Sequence, residues 1–317
     1  FYIKSGVATL PDFLEKRYDR SSRDWLVIIS IASAIIIHIA FSMLAGGIVL
    51  KTLFGVNLYT SVIVISVITA IYTIVGGLKA VVVTESIQTV VLILGATIIS
   101  FAAYFKMGGW EPMVNILQTS NQMDKLSMLR PHGDPSGMPW YAILLGYPVL
   151  GIWYWCADQT IVQRVLGAKD ENHARLGPLF CGFIKILPVF IFILPGLFAF
   201  TLAQSGKLDI SALQSVDEAG KAVVNSKGIY TLMITQLLPT GLVGVLVAAL
   251  LSGLMSQISG ALNSISTMVG FDIYKRYRPE TNDEKLVRLA KFLLELRWCF
   301  LLLYCHCSIA TKVSSSD

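Results

Sequence analysis

Charge is scarce in this sequence. Asp, Glu, Lys and Arg make up 14% of its 317 residues, 55% are hydrophobic, and the mean hydropathy is +0.67. Soluble domains carry roughly 25% charge. The deficit excludes an ordinary soluble enzyme, a disordered chain and a nucleic-acid-binding domain, and points to a membrane protein. Cysteine is also sparse and odd in number, at five. Cys156 and Cys181 sit in apolar runs, and Cys299, Cys305 and Cys307 crowd towards the end, so no disulfide framework is expected. The run Cys305-His306-Cys307 falls short of the four ligands of a structural zinc site. The opening Phe1-Tyr2-Ile3-Lys4 has no initiator methionine, basic leader or cleavage site, and reads as the interior of a longer chain.

Long apolar runs are abundant. A spanning helix needs about 20 mostly apolar residues to cross ~30 Å of hydrocarbon. Residues 24–50, 57–75, 84–105, 140–163, 177–203 and 241–271 meet that length or approach it, and 286–310 is a less regular seventh candidate. Cytoplasmic loops retain Lys and Arg. Alternate loops, starting with the segment before the first run, hold fifteen of these against seven in the other set. Residue 1 is therefore expected in the cytoplasm and the long polar loops 106–138 and 204–240 outside, in a plasma or bacterial inner membrane.

Polar residues at membrane depth carry the functional information. Lys185 follows Arg175 by ten residues, about 15 Å along a helix, too deep for its stem to snorkel to water. It is expected to face a polar cavity and donate to hydroxyls or a carboxylate. The run Gly146-Tyr147-Pro148-Val149-Leu150-Gly151 is a poor helix interior and predicts an interruption. Next come Trp153-Tyr154-Trp155-Cys156-Ala157-Asp158-Gln159, with Tyr154 and Asp158, and Trp155 and Gln159, one helical turn apart. Rings beside amide and carboxylate groups suit a sugar, although an interfacial aromatic belt has a similar composition. A polar stripe at Ser252, Ser256, Gln257, Ser259, Asn263, Ser264 and Thr267 either packs helices or offers oxygen ligands to a hard cation.

Together these stretches resemble the sodium:solute symporter family, and within it the sodium/glucose cotransporter branch. The likeness rests on Tyr2–Leu14, Gly76–Ala80, Thr84–Gln88, Trp153–Arg164, Phe183–Pro188, Leu194–Gly196, Leu262–Ser264 and Phe271–Tyr274, in family order, and runs to about Lys291. It implies an all-α polytopic membrane fold, part of two inverted five-helix repeats, with sodium-driven alternating access to a midplane site. It implies that Lys185 hydrogen-bonds sugar, that Tyr154 is an aromatic gate, and that Trp155 and Gln159 lie in the same segment. By the same likeness Ser256 ligates sodium with the Gly253 carbonyl, and Glu85 assists ion release.

Gln257 stands where a second ligating serine is usual in the family. The family's first unwound helix and the helix after it would precede Phe1, and a glutamine-bearing helix would follow the C-terminus. Residues 1–292 are read as a partial symporter-like membrane domain, and 293–317 as an atypical tail translated in a shifted frame. The expected partners are a sugar or polyol such as glucose, galactose or inositol, sodium as coupling ion, and the lipid bilayer. Neither an organic cofactor nor enzymatic activity is expected. The alternatives are a sodium-independent sugar sensor or channel on the same scaffold, or a symporter for an amino acid, carboxylate or vitamin.

Overall fold

A computed structural model describes residues 2–127, 129–134, 137–216, 222–224, 226–282 and 285–286, with the side chains of 70, 72, 74–81 and a few residues of the 215–227 loop excepted. The seventh candidate run after its first residue, and the tail, lie outside these residues.

Helix α1 (Leu10–Arg17) is set by Thr9, whose hydroxyl accepts from the Asp12 amide at 3.2 Å, and by Pro11 in its first turn. Asp19 caps α2 (Arg20–Ser33) through the Ser22 amide at 2.7 Å. The chain then runs through a π-helical turn at Ala34–Ile39 into α3 (Ala40–Phe54). Gly55, at φ 66°, ends α3 with its N–H on the Lys51 carbonyl, a left-handed position suited to glycine.

Helix α4 (Leu58–Met107) is 50 residues long and contains two of the predicted spans. The loop expected at 76–83 is not formed. Gly76 and Gly77 cost a helix only about 1 kcal/mol each, and neither proline nor a polar turn cluster interrupts the flanking apolar residues. After α4 come α5 (Trp110–Thr119), α6 (Trp140–Ile152), a π turn at Trp153–Ala157, α7 (Gln159–Leu166) and α8 (Glu171–Ile184). A π turn at Val189–Ile193 leads into α9 (Leu194–Gln204), and β1 (Gln214–Val216) pairs antiparallel with β2 (Ala222–Val224) in the otherwise all-α chain. Then follow α10 (Ile229–Leu237), α11 (Thr240–Met268) and a π turn at Val269–Tyr274.

The interruption expected at Gly146–Gly151 lies further on. α6 stays helical through Pro148, and the chain departs from α geometry at Trp153 and restarts at Asp158. Five helical stretches are long and apolar enough to cross a membrane: Arg20–Phe54, Val82–Met107, Trp140–Ala157, Glu171–Gln204 and Thr240–Tyr277. Leu58–Thr69 is a shorter apolar helical stretch.

The residues fall into two compact units, one of Phe1–Gln88, Cys156–Pro178 and Leu251–Asp317, the other of Thr89–Trp155 and Leu179–Leu250. The first unit's core packs Ala34, Ile39, Met43 and Ile65 against Ile258, Ala261, Leu262, Ile265 and Met268 of α11. Buried residues of the second include Ile99, Met107, Phe198, Leu202 and Met233.

Candidate functional site

In the second unit the π turn after α6 widens the backbone and places Tyr154 and Trp155 with ring centroids 5.5 Å apart and planes at 88°. Lys185 lies just past the end of α8, in a turn where its amide still reaches the Cys181 carbonyl at 2.9 Å and Pro188 follows three residues on. Its ammonium stands 4.2 Å from the Tyr154 ring centroid and 4.8 Å from that of Trp155. Two perpendicular rings thus form a corner, and the cation occupies it through their negative faces. The stem turns towards the aromatic pair where the helix breaks after Ile184, so that the ammonium meets these two π faces.

Gln159 belongs to the first unit. It is buried, and its Oε1 accepts from the Leu10 amide at 2.8 Å, satisfying a donor in the first turn of α1. Its Nε2 is buried with no partner among the described residues. Asp158, immediately before it, caps α7 by accepting from the Thr160 amide at 2.8 Å.

The polar face of α11 also lies in the first unit. Ser256 donates a short hydrogen bond to Glu85 of α4. The same carboxylate receives Arg164 Nη2 at 2.7 Å and Arg164 Nε at 3.3 Å. Arg164 Nη1 donates to the Thr160 carbonyl at 2.7 Å, so one guanidinium ties α7 to α4. Gly260, one turn beyond Ser256, makes room for it, since a Cβ there would stand 2.7 Å from Arg164 Nη2. Gln163 donates to the Thr267 hydroxyl at 3.1 Å on the same seam.

Gln257 points to a residue the sequence reading passed over. Its Nε2 is 2.7 Å from His38 Nδ1, and His38 Nε2 is 2.9 Å from Asp158 Oδ2. With the amide donating to Nδ1, the imidazole donates from Nε2 to the carboxylate. His38 and Asp158 are buried and Gln257 half-buried, and the chain Gln257–His38–Asp158 connects α11, the π turn after α2 and the cap of α7. The available signal was a lone histidine in an otherwise apolar span.

Gly253 sits inside the unbroken α11 with open space around its Cα. Ser259 and Ser264 have buried hydroxyls without partners among the described residues. These hydroxyls and the Ser256 oxygen are hard donors on α11. Among the described residues no three His, Cys, Asp or Glu side chains gather as a transition-metal site would require.

A second cluster absent from the sequence reading closes the other end of the first unit. Asp272, fully buried, accepts from the Thr9 hydroxyl at 2.8 Å and from Arg23 Nη2 at 2.7 Å. Arg23 also pairs with Glu15 and donates to the Phe271 carbonyl. A cavity of about 500 Å³ adjoins the cluster, lined by Asp12, Glu15, Arg20 and Arg276 among others.

Comparison with known proteins gives a consistent result. Residues 1–311 match the sodium:solute symporter family. The chain is 31% identical over 306 residues to a sodium/mannose cotransporter of Bos taurus, covering 92% of this chain and 51% of that one. It is 34% identical over 314 residues to sodium/glucose cotransporter 2 of Rattus norvegicus, covering 92% and 46%. It therefore spans about half the length of these curated relatives. A solved structure of a Na+-coupled sialic acid symporter, in a substrate-bound outward-open state, superposes with a TM-score of 0.80 at 23% identity, over 98% of this chain and 63% of that one.

Proposed function

Because the chain belongs to the sodium:solute symporter family, we propose that it forms part of a secondary active transporter that couples sodium entry to uptake of a sugar or sugar-like polyol by alternating access. The observation carrying this reading is the corner of Tyr154, Trp155 and Lys185. A pyranose or cyclitol presents apolar C–H faces to rings and hydroxyls to an ammonium, so this corner holds both halves of its recognition. The relatives named above are glucose and mannose cotransporters, which supports the same substrate class.

In this reading Tyr154 gates the site. Lys185 moves from the ring faces to the substrate hydroxyls as substrate stacks, and Trp155 completes the aromatic lining. Sodium takes the Ser256 oxygen with the Gly253 carbonyl and Gln257, which requires Ser256 to leave Glu85 and Gln257 to leave His38. Glu85 then offers its carboxylate to the departing ion. No covalent chemistry is involved. Sodium and sugar drive transport only to the extent that each binds the two states with different free energy.

The hydrogen bond from Gln257 to His38 favours one second reading, a sodium-independent sugar sensor or channel on the same scaffold. Counterflow of labelled glucose, galactose and inositol into proteoliposomes, with and without a sodium gradient, separates the two. Gradient-dependent accumulation is expected, and saturable sugar binding with no uptake would overturn the symport reading. Competition by unlabelled carboxylates and amino acids at the same concentrations tests the substrate class. In the full-length protein Lys185→Ala is expected to weaken apparent sugar affinity by at least tenfold while changing sodium affinity less. Equal losses for both would remove Lys185 from the sugar site.

A further inference from the structure

At the start of the first unit the chain builds a compact basic cavity of about 500 Å³. It is lined by Lys4, Ser5, Phe13, Lys16, Arg17 and Arg175. Four of these six residues are cations and none is acidic. The walls are held by local contacts. The turn at Tyr2–Gly6 is closed by backbone bonds from Ser5 and Gly6, and Tyr2 packs edge-on to Phe13 at 4.9 Å while its hydroxyl donates to the Cys156 carbonyl. Lys16 donates to the Ser5 carbonyl at 3.1 Å. Glu171 pairs with both Lys4, at 3.4 Å, and Arg175, at 2.5 Å. Arg17 has no ion-pair partner among the described residues, and one carboxylate against four cations leaves a net excess of three positive charges.

The position of the cavity narrows what can neutralise that excess. Arg17 stands three residues before the apolar stretch Arg20–Phe54, and Arg175 lies in the first turns of the stretch Glu171–Gln204. Two spans therefore start around the cavity, which puts its cations at the depth of lipid headgroups. Next to them Leu176, 64% exposed, and Tyr18, 71% exposed, present apolar and aromatic surface of the kind found at the edge of the hydrocarbon. The charge count across the loops places this end in the cytoplasm, where the leaflet carries anionic lipids that attract basic segments beside spans.

We propose that this cavity binds the phosphate of an anionic phospholipid headgroup. Arg17 and Arg175 supply planar guanidinium forks, Lys4 and Lys16 supply point charges, and the Ser5 hydroxyl lies within the same lining. The site is separate from the sugar and sodium residues and does not depend on what is transported.

The test titrates purified protein in neutral detergent with dihexanoyl phosphatidylglycerol below its micellar range and, separately, with inorganic phosphate. Saturable lipid binding is expected, weakened about 30-fold by the double substitution Lys16→Gln and Arg17→Gln, as two surface cations at about fivefold each imply. Lys51→Gln with Lys106→Gln, exposed cations elsewhere in the chain, should leave it unchanged. Circular dichroism melting of both variants should match the parent, because all four side chains are exposed. Absence of saturable binding, or equal affinity in the Lys16/Arg17 variant, overturns the site. Inorganic phosphate binding as tightly as the lipid, with the same sensitivity, overturns the lipid as its occupant.

Discussion

Glu85 takes Ser256 of α11 and Arg164 of α7 on one carboxylate, and its position makes a definite statement about energy. Its side chain is 21% exposed and that of Arg164 is 27% exposed, so the pair is partly desolvated. Removing one partner leaves the other charged in a site that water reaches poorly. Glu85→Leu should therefore destabilise the protein by about 1–3 kcal/mol. Adding Arg164→Met should recover most of that loss, since a well-packed apolar pair often replaces a buried ion pair without penalty. Thermal unfolding of the two single variants and the double variant in detergent measures the coupling. Additive losses would mean the guanidinium and carboxylate do not depend on one another.

This scale is also where sequence reading was least complete. Lys185, Tyr154 and Trp155 were singled out from their types and depth, and the structure gathers them. What escaped were contacts made across long separations. Arg164, Glu85 and Ser256 come from three different helices. His38 meets Asp158 across 120 residues, and Thr9 meets Asp272 across 263. Periodicity within one helix carries no information about which turn of another helix it faces. The direction Lys185 takes was hidden for a related reason, since it depends on a turn after Ile184 that Pro188 makes plausible and composition alone does not place.

At the scale of elements, helix starts follow capping side chains rather than hydrophobicity, so that α2 and α8 begin at Arg20 and Glu171, ahead of the apolar runs expected from 24 and 177. Asp19 and Asp170 illustrate the physics. The Ser22 amide, followed by its hydroxyl, holds the Asp19 carboxyl below the usual carboxylate range. The His173 amide, followed by its ring, does the same for Asp170. A depressed folded pKa means stabilisation that is fully present above the unfolded value of about 3.9 and is lost as pH falls through the folded value. Amide exchange in the first turns of α2 and α8 should therefore accelerate selectively below about pH 4. Asp19→Asn and Asp170→Asn should flatten that dependence, and an unchanged profile would deny the caps their role.

Helix packing was less legible, because a glycine in an apolar run marks close approach only once its neighbour is known. At Gly46 of α3 an added Cβ would stand 2.6 Å from Ile65 Cδ1, which is itself in the core. Gly46→Ala should be absorbed by a shift of that methyl group, whereas Gly46→Val should cost about 1–3 kcal/mol through overpacking. Thermal midpoints of the two variants, compared with the parent, decide this.

One interruption was expected, at Gly146–Gly151, and lies further on at Trp153–Ala157, while those at Ala34–Ile39 and Val269–Tyr274 were not expected. The π turns at Ala34–Ile39, Trp153–Ala157 and Val269–Tyr274 carry His38, Tyr154 with Trp155, and Asp272. Widened turns often occur at functional sites in helical proteins. Glycine and proline content marked Gly146–Gly151 as weak, yet neither residue type dominates the π turns themselves. Each of them crowds together bulky residues, either β-branched or aromatic.

For the whole molecule, the membrane class followed from charge content alone, and the all-α architecture from the apolar runs. The topology was harder to read. At ~1.5 Å per residue the 50 residues of α4 extend about 75 Å, more than twice the ~30 Å hydrocarbon thickness. The charge count requires two crossings between residues 57 and 105, with 106–138 outside. In a background lacking the native cysteines, Lys125→Cys should react with a membrane-impermeant maleimide in intact cells, and Lys169→Cys only after permeabilisation. The reverse pattern would mean that the segment crosses once.

The bond from Thr9 to Asp272 has a consequence in time. A ribosome adding 5–20 residues per second needs about 15–50 s to supply Asp272 after Thr9 has emerged. Until then Thr9 and Arg23 lack the carboxylate that joins them to the end of α11. The segment that carries Thr9 and Arg23 must wait for the turn after α11 before it can settle, so its folding is paced by synthesis of the chain between them.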